Sequence, residues 1–514
     1  MNKPFKKILI SLLIIVITVM SGVGLAYAEG SQPPAPPEGG GGPGGEPPGG
    51  FGGGPGGGPG GGPGGMSAAD ISYSGVTEFT TDTTESDQTY SSSGSDEQAL
   101  LVTGGTSTIS GATVTKTGDS DGDESDFYGT NAAVLANSGT LNISDSEITT
   151  DGVHANAVFA IGDGVINIAN SSINTSNNTS GGIMVTGGGT LTADNLTVHT
   201  SGNSSAPIRS DRGGGTITVN GGTYESNGVG SPVVYSTADI TVNNAEMTST
   251  ASEGVVVEGK NSVTLNGVTM YADNNTHNGK SETYKAIFLY QSMSGDADEG
   301  TASFTAKDSE INVLNGDTIF VTNTTAEIYM ENNTIVNDSG DFLRIQTGAW
   351  GSEGSNGGHV TATLSDQRIE GNIIVDSIST LYLTLENGSR FFGAIDTEDQ
   401  AQQVDLTVSA DSVIVLTGDT YVDSLTNEDA SNSNIYLNGH KLYVDGTETA
   451  ANEGAYTDTE DAADQPAEDV AAEDAEIEES DETEHKSPVP YAVGGIAAIA
   501  VVTGIATAIK KKSK

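Results

Sequence analysis

Residues Gly139–Thr150 read GTLNISDSEITT, Gly164–Thr175 read GVINIANSSINT and Gly189–Thr200 read GTLTADNLTVHT. The three segments share one frame. Two apolar residues flank one polar residue, a short polar break follows, and a third apolar residue closes the unit. Leu141/Ile143/Ile148, Ile166/Ile168/Ile173 and Leu191/Ala193/Val198 fill the frame here. Ile217/Val219/Tyr224, Ile240/Val242/Met247, Val263/Leu265/Met270, Phe304/Ala306/Ile311 and Ile328/Met330/Ile335 continue it. Ala362/Leu364/Ile369 is a further match, and Leu406/Val408/Val413 a looser one. From Leu141 to Ile328 the starts advance in steps of 25, 25, 26, 23, 23, 41 and 24.

Apolar residues at period two signal strands, and a recurrence every 20 to 50 residues signals a solenoid or propeller. The polar break holds Asp194-Asn195, Asn220-Gly221, Asn243-Asn244 and Asn266-Gly267. These residue types tolerate the left-handed backbone of a tight corner. Each unit also has an apolar patch upstream, such as AAVLA (132–136), AVFAI (157–161), GGIMV (181–185), SPVVY (231–235), GVVVE (254–258) and DTIFV (317–321). One repeat therefore holds three short strands and three corners, which is one coil of a parallel β-helix. Propeller blades need a longer period, and a leucine-rich repeat would show a fixed Leu/Asn pattern that is absent. The expected fold is all-β, a right-handed parallel β-helix over residues 71–445. About 14 coils at ~4.8 Å each would extend about 65 Å. Insertions are expected at 117–130, 272–299 and 348–358.

The ends differ from the middle. Residues 1–28 read as a signal peptide: Lys3, Lys6 and Lys7, then an apolar stretch from Ile8 to Met20, then Ala26-Tyr27-Ala28 as a small-x-small cleavage site. Residues 29–70 are Gly/Pro-rich without a strict Gly at every third position, so a flexible arm is expected rather than a collagen helix. Residues 446–490 form an acidic stalk. From Gly446 to His485 it carries 16 Asp or Glu and no Lys or Arg. Residues 491–509 form an apolar run without a charge. As a helix they would span ~28 Å, the thickness of a bilayer's hydrocarbon core. The basic tail 510–514 assigns the cytoplasmic side, so the N-terminal side is expected outside the cell membrane in a single-pass arrangement. No wall-sorting motif of the LPxTG type precedes the helix; that region reads KSPVPYAVGG.

The chain has 514 residues, 69 acidic against 19 basic, and no cysteine. Between Glu29 and His485 lie all 69 acidic residues and only 11 basic ones. Phosphate repulsion argues against a nucleic-acid partner, and the absence of cysteine leaves stability to packing.

The segments SDFYGTNAAVLA, SGGIMVTGGGT, IRSDRGGGTITVNGG, VVVEGKNSVTL and FLYQSMSGDADEGTASF give the region 104–446 a resemblance. It resembles secreted and surface β-helix proteins of Gram-positive gut and anaerobic bacteria, adhesin-like or carbohydrate-associated, with a pectate-lyase-like fold. The resemblance implies a surface-exposed β-helix and brings no catalytic residues with it.

Candidate sites come from the residues themselves. Asp119, Asp121, Asp123, Glu124 and Asp126 sit in TGDSDGDESDFYG, where alternating carboxylates can supply calcium oxygens. Gly122 falls too early for an EF-hand and Thr130 stands where the closing Glu belongs, so a solvated acidic loop is the competing reading. Asp296, Asp298 and Glu299 form a second such cluster. Arg209, Asp211 and Arg212 stand out in a chain with few basic residues. Glu258 and Lys260 occupy a comparable corner two coils on, and Lys285, Tyr290 and Gln291 follow in the next coil. Polysaccharide lyases on β-helices use calcium with an Arg or Lys base, so these residues are candidate catalytic groups; an ion-pair ladder sealing stacked corners is the alternative. Trp350, the only tryptophan, lies in the Gly-rich segment GAWGSEGSNGG, and it and Tyr290 are candidate ligand-binding residues. Thr190/Thr192, Thr216/Thr218 and Thr361/Thr363 suggest a threonine array of the ice-binding kind, although Asp239/Thr241 and Glu327/Tyr329 break it. The expected function is non-catalytic adhesion, with a surface glycan or a host or neighbouring-cell ligand as partner. A polysaccharide-active lyase or hydrolase is the alternative, and calcium the one cofactor considered.

Overall fold

Leu141, Ile166, Leu191, Ile217, Ile240, Val263, Phe304, Ile328 and Ala362 are direct neighbours on successive parallel strands. The column runs on through Leu383, Leu406 and Leu425. The sequence repeat is thus the coil of a parallel β-solenoid of about 15 turns, seen in a computed structural model that describes residues 71–279 and 281–457. At ~4.8 Å per coil it extends roughly 70 Å along its axis. The expected signal peptide, Gly/Pro-rich arm, membrane helix and basic tail, and the stalk beyond residue 457, lie outside the described residues. Among the described residues no helix is long and apolar enough to cross a membrane.

Each coil contributes to three faces. Face 1 is a 12-stranded parallel sheet that begins at Gly75–Phe79 and ends at Ile373–Val375. Face 2 carries the first two apolar positions of the repeat. Face 3 carries the third, in the column Val114, Ile148, Ile173, Val198, Tyr224, Met247, Met270, Ile311 and Ile335. Faces 2 and 3 join through Gly189–Thr200 and Gly215–Ser226, 12 residues each, which run through the corner without a break. The inward side chains of all three faces form one continuous core. Burying each aliphatic side chain contributes about 1.5–3 kcal/mol.

In twelve coils the corner between faces 2 and 3 turns through a left-handed residue. Asp87, Gly111, Asp145, Asn170, Asn195, Gly221, Asn244, Gly267, Asp308, Asn332, Asp366 and Asn387 all have φ between 48° and 71°. A left-handed residue costs most side chains roughly 1–2 kcal/mol, which Gly, Asn and Asp largely avoid. Their amides donate to carbonyls of the next coil, as Asn170 N does to Asp194 O at 2.9 Å and Asn244 N to Asn266 O at 2.8 Å.

Three details depart from the sequence reading. Val413 is not the buried residue of its coil; Ile414 is, stacked on Phe391 and Ile369. The corners after Leu385 and Val408 are one residue longer than the repeat, which also hid the coil of Leu383/Leu385/Phe391. The stretch 272–299 is not one insertion. It contains the core strand Lys285–Tyr290 on face 1, flanked by two loops. Finally, the fold continues past Asp445. Leu437 N donates to Asn452 O and Asn452 N to Ile435 O, both at 2.8 Å, and the Tyr456 ring meets Phe392 and Tyr436 at 5.5 and 5.0 Å.

From Gln98–Val102 to Asp317–Thr322 the strands of face 1 are buried on both sides, which explains why they read as unbroken apolar runs rather than alternating ones. Over the early coils its outer side is covered by the short helix Asp123–Tyr128, which packs near Leu101, Leu135, Phe159 and Met184. Over the later coils Trp350 packs on Tyr235, Val256, Phe288, Tyr290 and Phe320. The candidate site lies at this second cover.

Candidate ligand-binding site

The outer column of face 1 reads Arg209, Tyr235, Val256, Phe288, Phe320 and Arg344, each stacked on the next. An apolar run places every second residue outward, so four of these side chains form an aromatic and aliphatic strip. Phe288 stacks on Tyr290 at 4.4 Å between centroids and on Phe320 at 5.5 Å. Trp350 closes the strip from above, 5.2 Å from Phe288 and 5.1 Å from Tyr290. The two residues singled out in the sequence as ligand-binding, Trp350 and Tyr290, are thus in contact although they belong to different coils. Pro232, Asn278, Ser281 and Gly230 complete a pocket of about 40 Å³. That is room for a few waters and not for a sugar ring.

Two buried ionic groups underlie the pocket. Glu253 and Lys285 pair at 3.0 Å, and the Lys285 ammonium also lies 4.3 Å from the Phe288 ring centroid. Burial alone would raise the Glu253 carboxyl, but the Lys285 charge and the Ser252 hydroxyl outweigh it and hold it below its ordinary range. Glu258 is 1% exposed. Its carboxylate accepts hydrogen bonds from the Tyr235 and Ser292 hydroxyls, from Tyr290 Oη at 2.9 Å and from the Ser292 amide at 3.3 Å. Burial raises its pKa, and these donors only partly offset that. The same burial pushes both tyrosine hydroxyls well above their usual value.

The remaining candidate catalytic residues are committed to internal partners. Arg209 and Asp211 pair at 2.9 Å, 2% and 1% exposed. Burial pushes Asp211 up to about 7, against the pull of the Arg209 guanidinium. Arg212 binds Asp296 at 2.8 Å and lies 3.6 Å over the Phe127 ring, linking the short helix to the loop after Tyr290. Lys260 binds Asp298 at 2.8 Å on the same loop. Arg212 and Lys260 therefore clamp a loop, and Asp296 and Asp298 of the second acidic cluster are their partners.

In the first acidic cluster, Asp123 opens the helix Asp123–Tyr128, which ends at Gly129 with φ 71°. Asp126 meets His154 Nδ1 at 2.7 Å, and Asp119 accepts the Val153 amide at 2.8 Å. Asp121 is exposed. Among the described residues no group of three or more His, Asp or Glu side chains is arranged to hold a metal.

On face 2, Thr192, Thr218, Thr241, Thr264 and Thr305 form an outward column over five successive coils until Tyr329. The column beside it is broken by Asp239 and Glu327, so the threonines form one row and not a flat array.

Tyr235, Phe288, Glu253 and Phe320 were not singled out in the sequence. The signal for three of them was present: uninterrupted apolar patches mean burial on both sides, so their outward members need a cover. Glu253 left no signal, because its partner Lys285 belongs to the next coil and stands in no periodic relation to it. No family model, curated protein or solved structure matches the chain.

Proposed function

We propose that this protein is a non-catalytic surface-binding protein of the adhesin-like, Gram-positive β-helix kind, anchored in the cytoplasmic membrane by residues 491–509, with a neutral glycan as ligand. The observation that carries the reading is the pocket under Trp350. Aromatic rings line it, as sugar stacking requires, and the Glu253 carboxylate and Lys285 ammonium that also line it are paired with each other. General acid–base chemistry needs a group within reach of substrate, and Glu258, Arg209 and Asp211 are nearly inaccessible. The strongly acidic surface disfavours uronate polymers by repulsion, which leaves neutral sugars as the better class. The pocket as it stands is too small for a ring, so the reading requires the loop carrying Trp350 to lift from Phe288. We further take the coil to be right-handed, as crossovers between parallel strands of one sheet are.

The test is a glycan array with the chain 29–485, with calcium and with chelator, while the supernatant is assayed for released sugars and unsaturated ends. Binding of neutral glycans without product, weakened at least tenfold by Trp350→Ala and accompanied by a shift in Trp350 fluorescence, supports the reading. Product release that disappears in Arg212→Ala would replace it with the polysaccharide-active alternative.

A further inference from the structure

A second concave surface lies away from face 1, over the left-handed corner between faces 2 and 3. Four successive coils line it, and its volume is about 610 Å³. This is within the range of small-molecule sites, roughly 300–1,000 Å³. It is open to solvent along its length and has two rails and a floor. The corner residues Asp145, Asn170 and Asn195 form one rail, all exposed. Glu147, Ser172 and Thr197, stacked on neighbouring strands, form the other.

The floor is small and internally satisfied. Ser146 Oγ donates to Ser144 O at 2.7 Å and accepts the Ala112 amide at 3.0 Å. Ser171 Oγ donates to Ala169 O at 2.7 Å and accepts the Ser146 amide at 3.0 Å. Ala112, Ser146 and Ser171 thus leave a trough between the rails, which ends where Leu196 takes the floor position. The rails keep hydrogen-bonding capacity. Asn195 Nδ2 donates to Asn170 Oδ1 at 3.1 Å, and each amide retains further donors or acceptors toward solvent.

We infer that this corner groove binds an extended neutral glycan lengthwise, one sugar ring per coil. The coil repeat of ~4.8 Å is close to the advance of one ring in an extended β-linked chain, so equivalent rail groups meet successive rings almost in register. Carboxylates on both rails, Asp145 and Glu147, accept from sugar hydroxyls and repel anionic polymers. No aromatic residue lines the groove, so each ring is held by hydrogen bonds alone and affinity accumulates along the chain. The inference shares its ligand class with the proposed function, on which it rests, but places the polymer on a different surface.

The experiment titrates the full-length protein with cello-oligosaccharides from disaccharide to octasaccharide by calorimetry, with polygalacturonate as the anionic control. Affinity should rise about tenfold or more up to roughly four rings and then level off, one ring for each coil that lines the groove. The double variant Asn170→Gly/Asn195→Gly keeps the left-handed backbone while removing both amides, and should cut octasaccharide affinity about tenfold. Ser172→Lys, at the half-buried middle of the second rail and pointing away from the core, should block the groove. Trp350→Ala should remove the binding that belongs to the aromatic pocket, which does not grow with ring number, and leave the component that rises with length. Length-independent binding, equal binding of polygalacturonate, or no binding of any cello-oligosaccharide overturns the inference. Binding lost in Trp350→Ala but unchanged in the groove variants also overturns it, while the reading of the aromatic pocket stands.

Discussion

Replacing Glu258 with leucine should unfold the Trp350 region before the rest of the solenoid. The carboxylate is the common acceptor for Tyr235, Tyr290 and Ser292, and both tyrosines are 5% exposed or less. Leucine fills the space but removes the acceptor that three hydroxyls and one amide share, leaving the two tyrosines only each other and Ser292 the Ser294 hydroxyl. An unsatisfied buried donor costs about 1–3 kcal/mol, and partial access of water to Ser292 brings the expected sum to about 3–5 kcal/mol. Trp350 is the sole tryptophan and its ring lies 5.1 Å from Tyr290, so its fluorescence reports this region while far-UV circular dichroism reports the whole coil stack. The fluorescence midpoint in urea should fall by about 1 M or more, ahead of the circular dichroism transition. Glu258→Gln retains one acceptor oxygen and should lose less, about 1–2 kcal/mol. The pH dependence gives a second check. Burial raises Glu258 above 4.5 and Asp211 from 3.8 to about 7 in the folded state. A group with a raised folded pKa contributes its full stability below its unfolded pKa and loses it as pH rises through the folded value. The wild-type fluorescence midpoint should therefore fall between pH 4 and 8, and fall less steeply in Glu258→Gln. Coincident transitions in Glu258→Leu, at the wild-type urea concentration, would refute the reasoning.

Further outcomes follow from other parts of the molecule. Tyr224 is fully buried in the face 3 column and its hydroxyl has no hydrogen-bond partner; Tyr224→Phe should stabilise by about 1–2 kcal/mol, whereas Tyr224→Ala should cost about 3–5 kcal/mol, read as opposite shifts in denaturant midpoint. Asn195 sits at φ 54°; Asn195→Gly should be nearly neutral and Asn195→Val should lose about 1–2 kcal/mol, measured the same way. Arg212→Ala removes the Asp296 pair and the contact with Phe127; amide exchange should speed up in residues 291–300 and in the helix Asp123–Tyr128, with global stability changed by less than about 1 kcal/mol.

Much of the molecule was legible in the chain, and the reason is periodicity. A coil of a parallel solenoid contacts only its neighbours, so each core position recurs in sequence at the coil length and each corner recurs with it. Leu141, Ile166, Leu191 and Ile217 announce both their strand and their stacking partner, and the Asn, Asp and Gly residues between them announce the bend. Where the corner gained one residue, after Leu385 and Val408, a fixed spacing assigned Val413 in place of Ile414, because the frame carries no memory of an inserted residue. The candidate site was legible only in part. Trp350 and Tyr290 stand out by residue type, yet nothing in their spacing says that the insertion at 348–358 folds back over face 1. The pairing of Arg212 with Asp296, of Lys285 with Glu253, and the convergence of two tyrosines on Glu258 join different coils through side chains whose direction depends on loop packing. Repetition in the sequence determined the solenoid, its registers and its corners, since these follow from local strand and turn chemistry applied coil by coil. Tertiary structure alone decided which charges are buried, which loop covers which face, and where the grooves lie, since those depend on contacts between segments that share no periodic relation.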